Sequence, residues 1–220
     1  MKRTILSVIL VMSAFMAYAQ PQIGDWAKFG RYEQANKEVT TSPRAVFMGD
    51  SITDSWATAD PQFFSENNFI GRGISGQTSS HMLVRFRRDV VDHHPKYVVI
   101  LAGTNDIAKN LGDISLENTL GNIISMCEIA RANRIKPIIC SVLPCNFFFW
   151  RPEATGQAQE IVKLNALLKE YAKSAKIPYV DYHSVMKDGN DGLPEKYAAD
   201  GCHPTMAGYK VMEEIVLKYL

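Results

Sequence analysis

The sequence predicts an α/β protein built around a parallel sheet, and two observations carry that prediction. From Ala45 onward, short apolar runs alternate with segments whose apolar residues recur at helical spacing, the pattern of repeated strand–helix–strand units. The chain has 220 residues, 46% of them hydrophobic and 21% charged, which is enough for one well-buried core and short for two. No repeat, low-complexity tract or linker divides it.

Taken in order, residues 1–19 are set apart from the fold. Lys2 and Arg3 precede an apolar run from Ile5 to Met16, followed by Ala17-Tyr18-Ala19, a small-x-small cleavage pattern. The run is too short to span a bilayer, which needs about 20 residues. A cleaved signal peptide and an exported mature chain starting at Gln20 are expected. Residues 20–44 are expected as a helical extension packed on the domain, with a helix over 25–40 that sets Trp26, Phe29 and Tyr32 on one side. The domain itself spans 45–220. Strands are expected at 45–48, 69–72, 97–102, 136–142 and 178–181, and helices at 78–91, 115–132 and 157–174. Leu116, Leu120, Ile123, Ile124 and Cys127 illustrate the helical period. A last helix begins at Pro204, where a first turn tolerates proline, and places Met212, Ile215, Val216 and Tyr219 on one face.

The formal charge of +1, with no Lys/Arg block, argues against nucleic acid or anionic lipid as a partner. Small or neutral substrates fit better. Four cysteines are too few for a disulfide framework; Cys127 and Cys140 read as buried small hydrophobes, and for Cys145 and Cys202 free thiols are favoured over a bridge.

In parallel sheets, ligands collect beyond the carboxyl ends of the strands. Gly49-Asp50-Ser51, Gly73-Ile74-Ser75-Gly76 and Gly103-Thr104-Asn105-Asp106 follow the first three strands, and Asp200-Gly201-Cys202-His203 precedes the last helix. A serine hydroxyl needs a base within hydrogen-bond reach, and the base needs a group that holds its tautomer. His203 and Asp200, three residues apart, fit those roles for Ser51. Donors for an oxyanion are expected from the Ser51 N–H, the Gly76 N–H and the Asn105 amide. Asp50 and Asp106 are expected to brace their own loops. His81, His93, His94 and His183 read as structural.

These blocks resemble those of the SGNH (GDSL-type) hydrolases: Gly49-Asp50-Ser51, Gly76 within Ser75-Gly76-Gln77-Thr78, Gly103-x-Asn105-Asp106 and Asp200-x-x-His203-Pro204, in order and at compatible spacing over about residues 43 to 219. The resemblance implies a flavodoxin-like three-layer α/β/α sandwich with a central five-stranded parallel sheet. It implies Ser51, Asp200 and His203 as catalytic residues, Ser51, Gly76 and Asn105 as oxyanion hole, and no metal or organic cofactor. Ile52 stands where the family name has leucine. The stretch 71 to 106 looks most like the platelet-activating-factor acetylhydrolase branch and bacterial acetyl esterases, which implies a serine esterase acting on acetyl or other short acyl groups of glycans or small molecules. A lysophospholipase or thioesterase is the alternative, and a non-catalytic carbohydrate-binding relative a remote one. Trp56, Phe149 and Trp150 are the expected cleft walls.

Gly71-Arg72-Gly73-Ile74-Ser75-Gly76 also reads as G-x-G-x-x-G, with Asp89 and Asp92 near the distance of a ribose-binding acid. Against a dinucleotide site, that fingerprint belongs to an opening strand, and here another strand precedes it. The G-x-S-x-G elbow of the other large α/β hydrolase class is absent.

Overall fold

The computed structural model describes residues 24–220; the expected leader, 1–19, lies outside them. Five parallel strands, β1 (Ala45–Gly49), β2 (Phe69–Gly73), β3 (Tyr97–Ile100), β4 (Lys136–Cys140) and β5 (Tyr179–Val180), are ordered β2-β1-β3-β4-β5. The chain leaves β1 for β2 on one side and returns to β3 on the other, so the order reverses at β1. A crevice opens at such a reversal.

Helices cover both faces because strand side chains alternate. Val46, Met48, Val98 and Ile100 pack into a core shared with α4 (Ser79–Asp89), α6 (Leu116–Ala132) and α7 (Gln157–Ser174). Ala45, Phe47, Val99 and Leu101 pack into a second core under α2 (Ser51–Ala59), α3 (Pro61–Glu66), α8 (Tyr182–Met186) and α9 (Met206–Val216). The three-layer α/β/α architecture expected from the resemblance is the one observed.

Strands expected to run to 102 and 142 stop at Ile100 and Cys140. Beyond β4 no neighbouring strand meets Val142; the Asn165 side chain does, accepting from the Val142 N–H at 2.8 Å and donating to its carbonyl at 3.0 Å. Two helices absent from the sequence reading, α2 and α3, have side-chain caps. Asp50 accepts from Ile52 N at 2.9 Å, and Asp60 accepts from Phe63 N at 3.1 Å with Pro61 in the first turn.

The helix expected over 25–40 is shorter, a 3-10 turn (Phe29–Tyr32) running into α1 (Glu33–Lys37). It cannot start earlier because Lys28 is left-handed, φ 56°, and the Asp25 carboxylate takes the first free N–H groups, those of Phe29 and Gly30. The β-branched and proline-containing run Val39-Thr40-Thr41-Ser42-Pro43 follows its end. This segment lies against the sheet end: Tyr32 is buried and its hydroxyl donates to the Gly73 carbonyl. Trp26, by contrast, is exposed, its ring 4.9 Å from that of His81.

Candidate functional site

Ser51 opens α2 directly after β1, so strand geometry aims its side chain out of the sheet's carboxyl end while the Asp50 cap fixes the turn. Small residues let neighbouring backbone close in. A Cβ on Gly73 would lie 2.2 Å from Asp54 N and 2.6 Å from the Asp50 carbonyl, so β2 can approach the Ser51 turn only as glycine. Gly76 differs: nothing crowds it, but its φ of +81° is a conformation side chains rarely adopt.

The residues expected as nucleophile, base and orienter meet. Ser51 Oγ lies 2.9 Å from His203 Nε2, and His203 Nδ1 lies 2.7 Å from Asp200 Oδ2. The other Asp200 oxygen accepts from the main-chain N–H groups of Cys202 and His203, at 2.9 and 2.7 Å. Burial pushes the Asp200 carboxyl up, but those two N–H groups and the imidazole outweigh it and hold it below its ordinary value. An ionised carboxylate on Nδ1 leaves Nε2 free of its proton and facing the serine.

Asn105 is buried at the start of the short α5 (Thr104–Ile107), and its Nδ2 donates to the Gln77 carbonyl at 3.0 Å and lies 3.4 Å from Asp50 Oδ2. With Gly76 and Ser51 it lines a cleft of about 430 Å³ whose remaining walls are Ser55, Ser75, Asn110, Phe149, Trp150 and His203. The rings of Phe149 and Trp150 stand 6.1 and 5.9 Å from that of His203. The aromatic run divides: Phe148 is buried in the core, Phe147 and Phe149 are exposed, and Trp150 is half-buried. A larger groove of about 850 Å³, lined by Lys109, Asp113, Glu117, Arg151 and Glu160 among others, contains none of the residues expected to react.

Trp56 is not a cleft wall. It is 1% exposed, stacked between Phe63 and Tyr209 at 5.3 and 5.5 Å, with its Nε1 donating to Glu213 at 3.2 Å. Ile52 and Trp56 lie four apart on α2 and share its buried face, a spacing that becomes informative once α2 is recognised.

The acids around the site brace it. Asp106 was expected to hold its own loop; instead it reaches across to the neighbouring one, accepting from Ser79 N at 2.9 Å and Ser79 Oγ at 2.5 Å, the first residue of α4. Burial raises its carboxyl above the ordinary value. Asp54, which the sequence reading did not single out, holds Ser75 through Oδ2, at 2.9 Å from Ser75 Oγ.

Asp50 is fully buried, and burial pushes its carboxyl from 3.8 up to about 6. The folded chain therefore keeps this proton to higher pH than the unfolded chain does, so the stability associated with Asp50 is greatest below about pH 4 and is lost as the pH rises through 6. The cost at neutral pH is roughly 2 to 3 kcal/mol. Asp50→Asn keeps a cap oxygen and removes the charge, so its melting temperature should drop less than the parent's between pH 4 and 7. Parallel thermal melts across that range check this; equal slopes contradict it.

The glycines of the G-x-G-x-x-G pattern do not form a phosphate loop. Gly71 and Gly73 sit inside β2, and the Asp89 carboxylate is buried on Arg85 at 2.9 Å. Cys145 and Cys202 are free and buried, and Cys145 Sγ donates to the Phe147 carbonyl at 3.1 Å. Among the described residues, no group of three or more His, Cys, Asp or Glu is placed to hold a metal ion, and no helix is long and apolar enough to cross a membrane.

Comparison with known proteins assigns the chain to a family. A GDSL-like lipase from Bacteroides thetaiotaomicron VPI-5482, of solved structure, is 46% identical, with 87% of this chain and 96% of that one covered and a TM-score of 0.84. An acetylxylan esterase of Geobacillus stearothermophilus is 21% identical over 212 residues, covering 82% of this chain and 95% of that protein. The platelet-activating factor acetylhydrolase IB subunit alpha2 of Rattus norvegicus is 26% identical over 191 residues, covering 81% and 78%. The model of the GDSL-like lipase/acylhydrolase family matches residues 47–211, from β1 through the residues around Ser51, Asn105 and His203 into the last helix; the chain belongs to that family of carboxylic ester hydrolases.

Proposed function

We propose that the protein cleaves acetyl or other short acyl esters of glycans or small molecules through an acyl-serine on Ser51. The 2.9 Å contact between Ser51 Oγ and His203 Nε2, continued at 2.7 Å to Asp200, carries this reading. His203 takes the hydroxyl proton as Oγ attacks the ester carbonyl and returns it to the departing alcohol; water then repeats the sequence on the acyl-enzyme. Asp200 holds the ring and balances its charge. The Ser51 and Gly76 N–H groups and Asn105 Nδ2 receive the negative charge on the carbonyl oxygen.

Short acyl groups are favoured by the names of two relatives, an acetylxylan esterase and an acetylhydrolase. The Phe149 and Trp150 rings beside His203, set at 77° to each other, form an apolar corner, either face of which can stack on a sugar ring. Rates on p-nitrophenyl esters from acetate to palmitate test this: kcat/KM should be highest at acetate and fall with length, whereas a rise toward the long chains makes the same corner an acyl channel and the enzyme a lysophospholipase or thioesterase.

Export follows from the leader pattern at 1–19. Mass spectrometry of the protein from its host should place the mature N-terminus at Gln20; a retained Met1 argues against it.

A further inference from the structure

We propose that Asn110 and Trp150 are positioning residues that decide which way the Asn105 amide points, so that one side chain both walls the cleft and sets the charge-stabilising donor. This rests on the reading of Asn105 as an oxyanion donor. A side-chain amide has two ends of nearly equal shape, and Asn105 is useful only with its NH2 toward the reacting carbonyl. On its Nδ2 side the Gln77 carbonyl at 3.0 Å and Asp50 Oδ2 at 3.4 Å both accept, and the amide keeps that orientation only if Oδ1, at the other end, is also matched to a donor.

The Oδ1 end is matched through Asn110 and Trp150. The indole of Trp150 is a donor and never an acceptor, so the Asn110 atom 3.0 Å from Trp150 Nε1 has to be the oxygen Oδ1. Asn110 then turns its NH2 the other way, where Nδ2 donates to Asn105 Oδ1 at 2.7 Å and lies 3.4 Å from the Gly76 carbonyl. With Oδ1 occupied, Asn105 keeps Nδ2 on the Gln77 carbonyl and Asp50 Oδ2, at the edge of the cleft it lines. Every bond in the series runs in one direction, and the donor-only indole sets that direction. Asn110 is tied to Asn105 by the backbone as well, its N–H donating to the Asn105 carbonyl at 3.0 Å, so the two amides keep their spacing. The Phe148 and Phe149 rings, each 5.0 Å from that of Trp150, hold the indole in place.

Steady-state kinetics on p-nitrophenyl acetate with Asn105→Ala, Asn110→Leu, Trp150→Phe and the double variants Asn105→Ala/Asn110→Leu and Asn110→Leu/Trp150→Phe test the relay. Asn105→Ala should lower kcat by about 10² or more, the usual effect of one lost oxyanion donor. Asn110→Leu, uncharged and of similar size, should lower kcat by about tenfold or more, and Trp150→Phe, which keeps an aromatic wall and loses only the indole N–H and part of the ring, by about fivefold, with KM in each case within about threefold of the parent. Each double variant should match its more impaired single within about threefold, because groups acting through one amide are not additive. Asn105→Ala within threefold of the parent overturns the oxyanion reading and the relay with it. A large loss in Asn105→Ala with kcat unchanged in both Asn110→Leu and Trp150→Phe overturns the relay alone, as do losses that multiply in the doubles, the mark of separate packing roles. Should Asn110→Leu fail to fold, Trp150→Phe against Asn105→Ala decides the matter by the same criteria.

Discussion

Ser51→Ala is expected to lower kcat by about 10⁴ or more and to leave the melting temperature within a few degrees of the parent. The large effect follows from the chemistry proposed, since without the hydroxyl there is no oxygen to carry the acyl group, and the residual rate comes only from bound water and the oxyanion donors. The small structural effect follows from position. Ser51 is half-buried, and its hydroxyl makes a single hydrogen bond, to His203. The cap on α2 is supplied by Asp50 and stays in place. A fluorophosphonate probe gives a second readout, labelling the parent and sparing the variant. Labelling that persists in Ser51→Ala, or a parent that is never labelled, removes Ser51 from the proposed role; the latter also fits a binding relative of the fold.

His203→Ala is expected to cost a similar factor, roughly 10⁴, because an unassisted serine hydroxyl is a weak nucleophile at neutral pH. The double variant Ser51→Ala/His203→Ala should be little worse than either single, since the two groups act as one unit. Singles whose losses multiply would count against His203 as base. The Asp200 carboxyl, held below its ordinary value, is ionised at neutral pH and supports the ring.

Much of this site is legible in the residue order because strand ends are punctuated locally. An apolar run cannot continue through Gly-Asp-Ser or Gly-Thr-Asn-Asp, so the turns that follow β1 and β3, and the side chains they carry, are set by neighbours in the chain. Asp200 and His203 are likewise a local pair, three apart, and their spacing alone suggests one carboxylate for one imidazole. Helices with a long apolar stripe, such as α6 and α7, show themselves by period.

Trp56 marks where local reading failed. Its neighbourhood, Ser55-Trp56-Ala57-Thr58, carries no sign of whether it faces a cleft or the core, and the answer came from Phe63, Tyr209 and Glu213, the last 157 residues away. Asp106 is similar. A carboxylate in a turn normally bonds its own backbone, but the α4 N-terminus across the sheet offers Ser79 N and Oγ together, a stronger site for a buried charge.

What the sequence determined by itself is the parallel α/β framework, the turns that follow its strands and the residue types that can activate a hydroxyl, because periodicity, turn chemistry and side-chain reactivity are properties of short stretches. What only the tertiary structure decided is the meeting of Ser51 with His203 across 152 positions, the burial of Trp56, and the direction of the Asn105 amide through Asn110 and Trp150. Those depend on which elements the sheet order brings side by side, and a hydrogen bond is made by distance in space, whatever the separation along the chain.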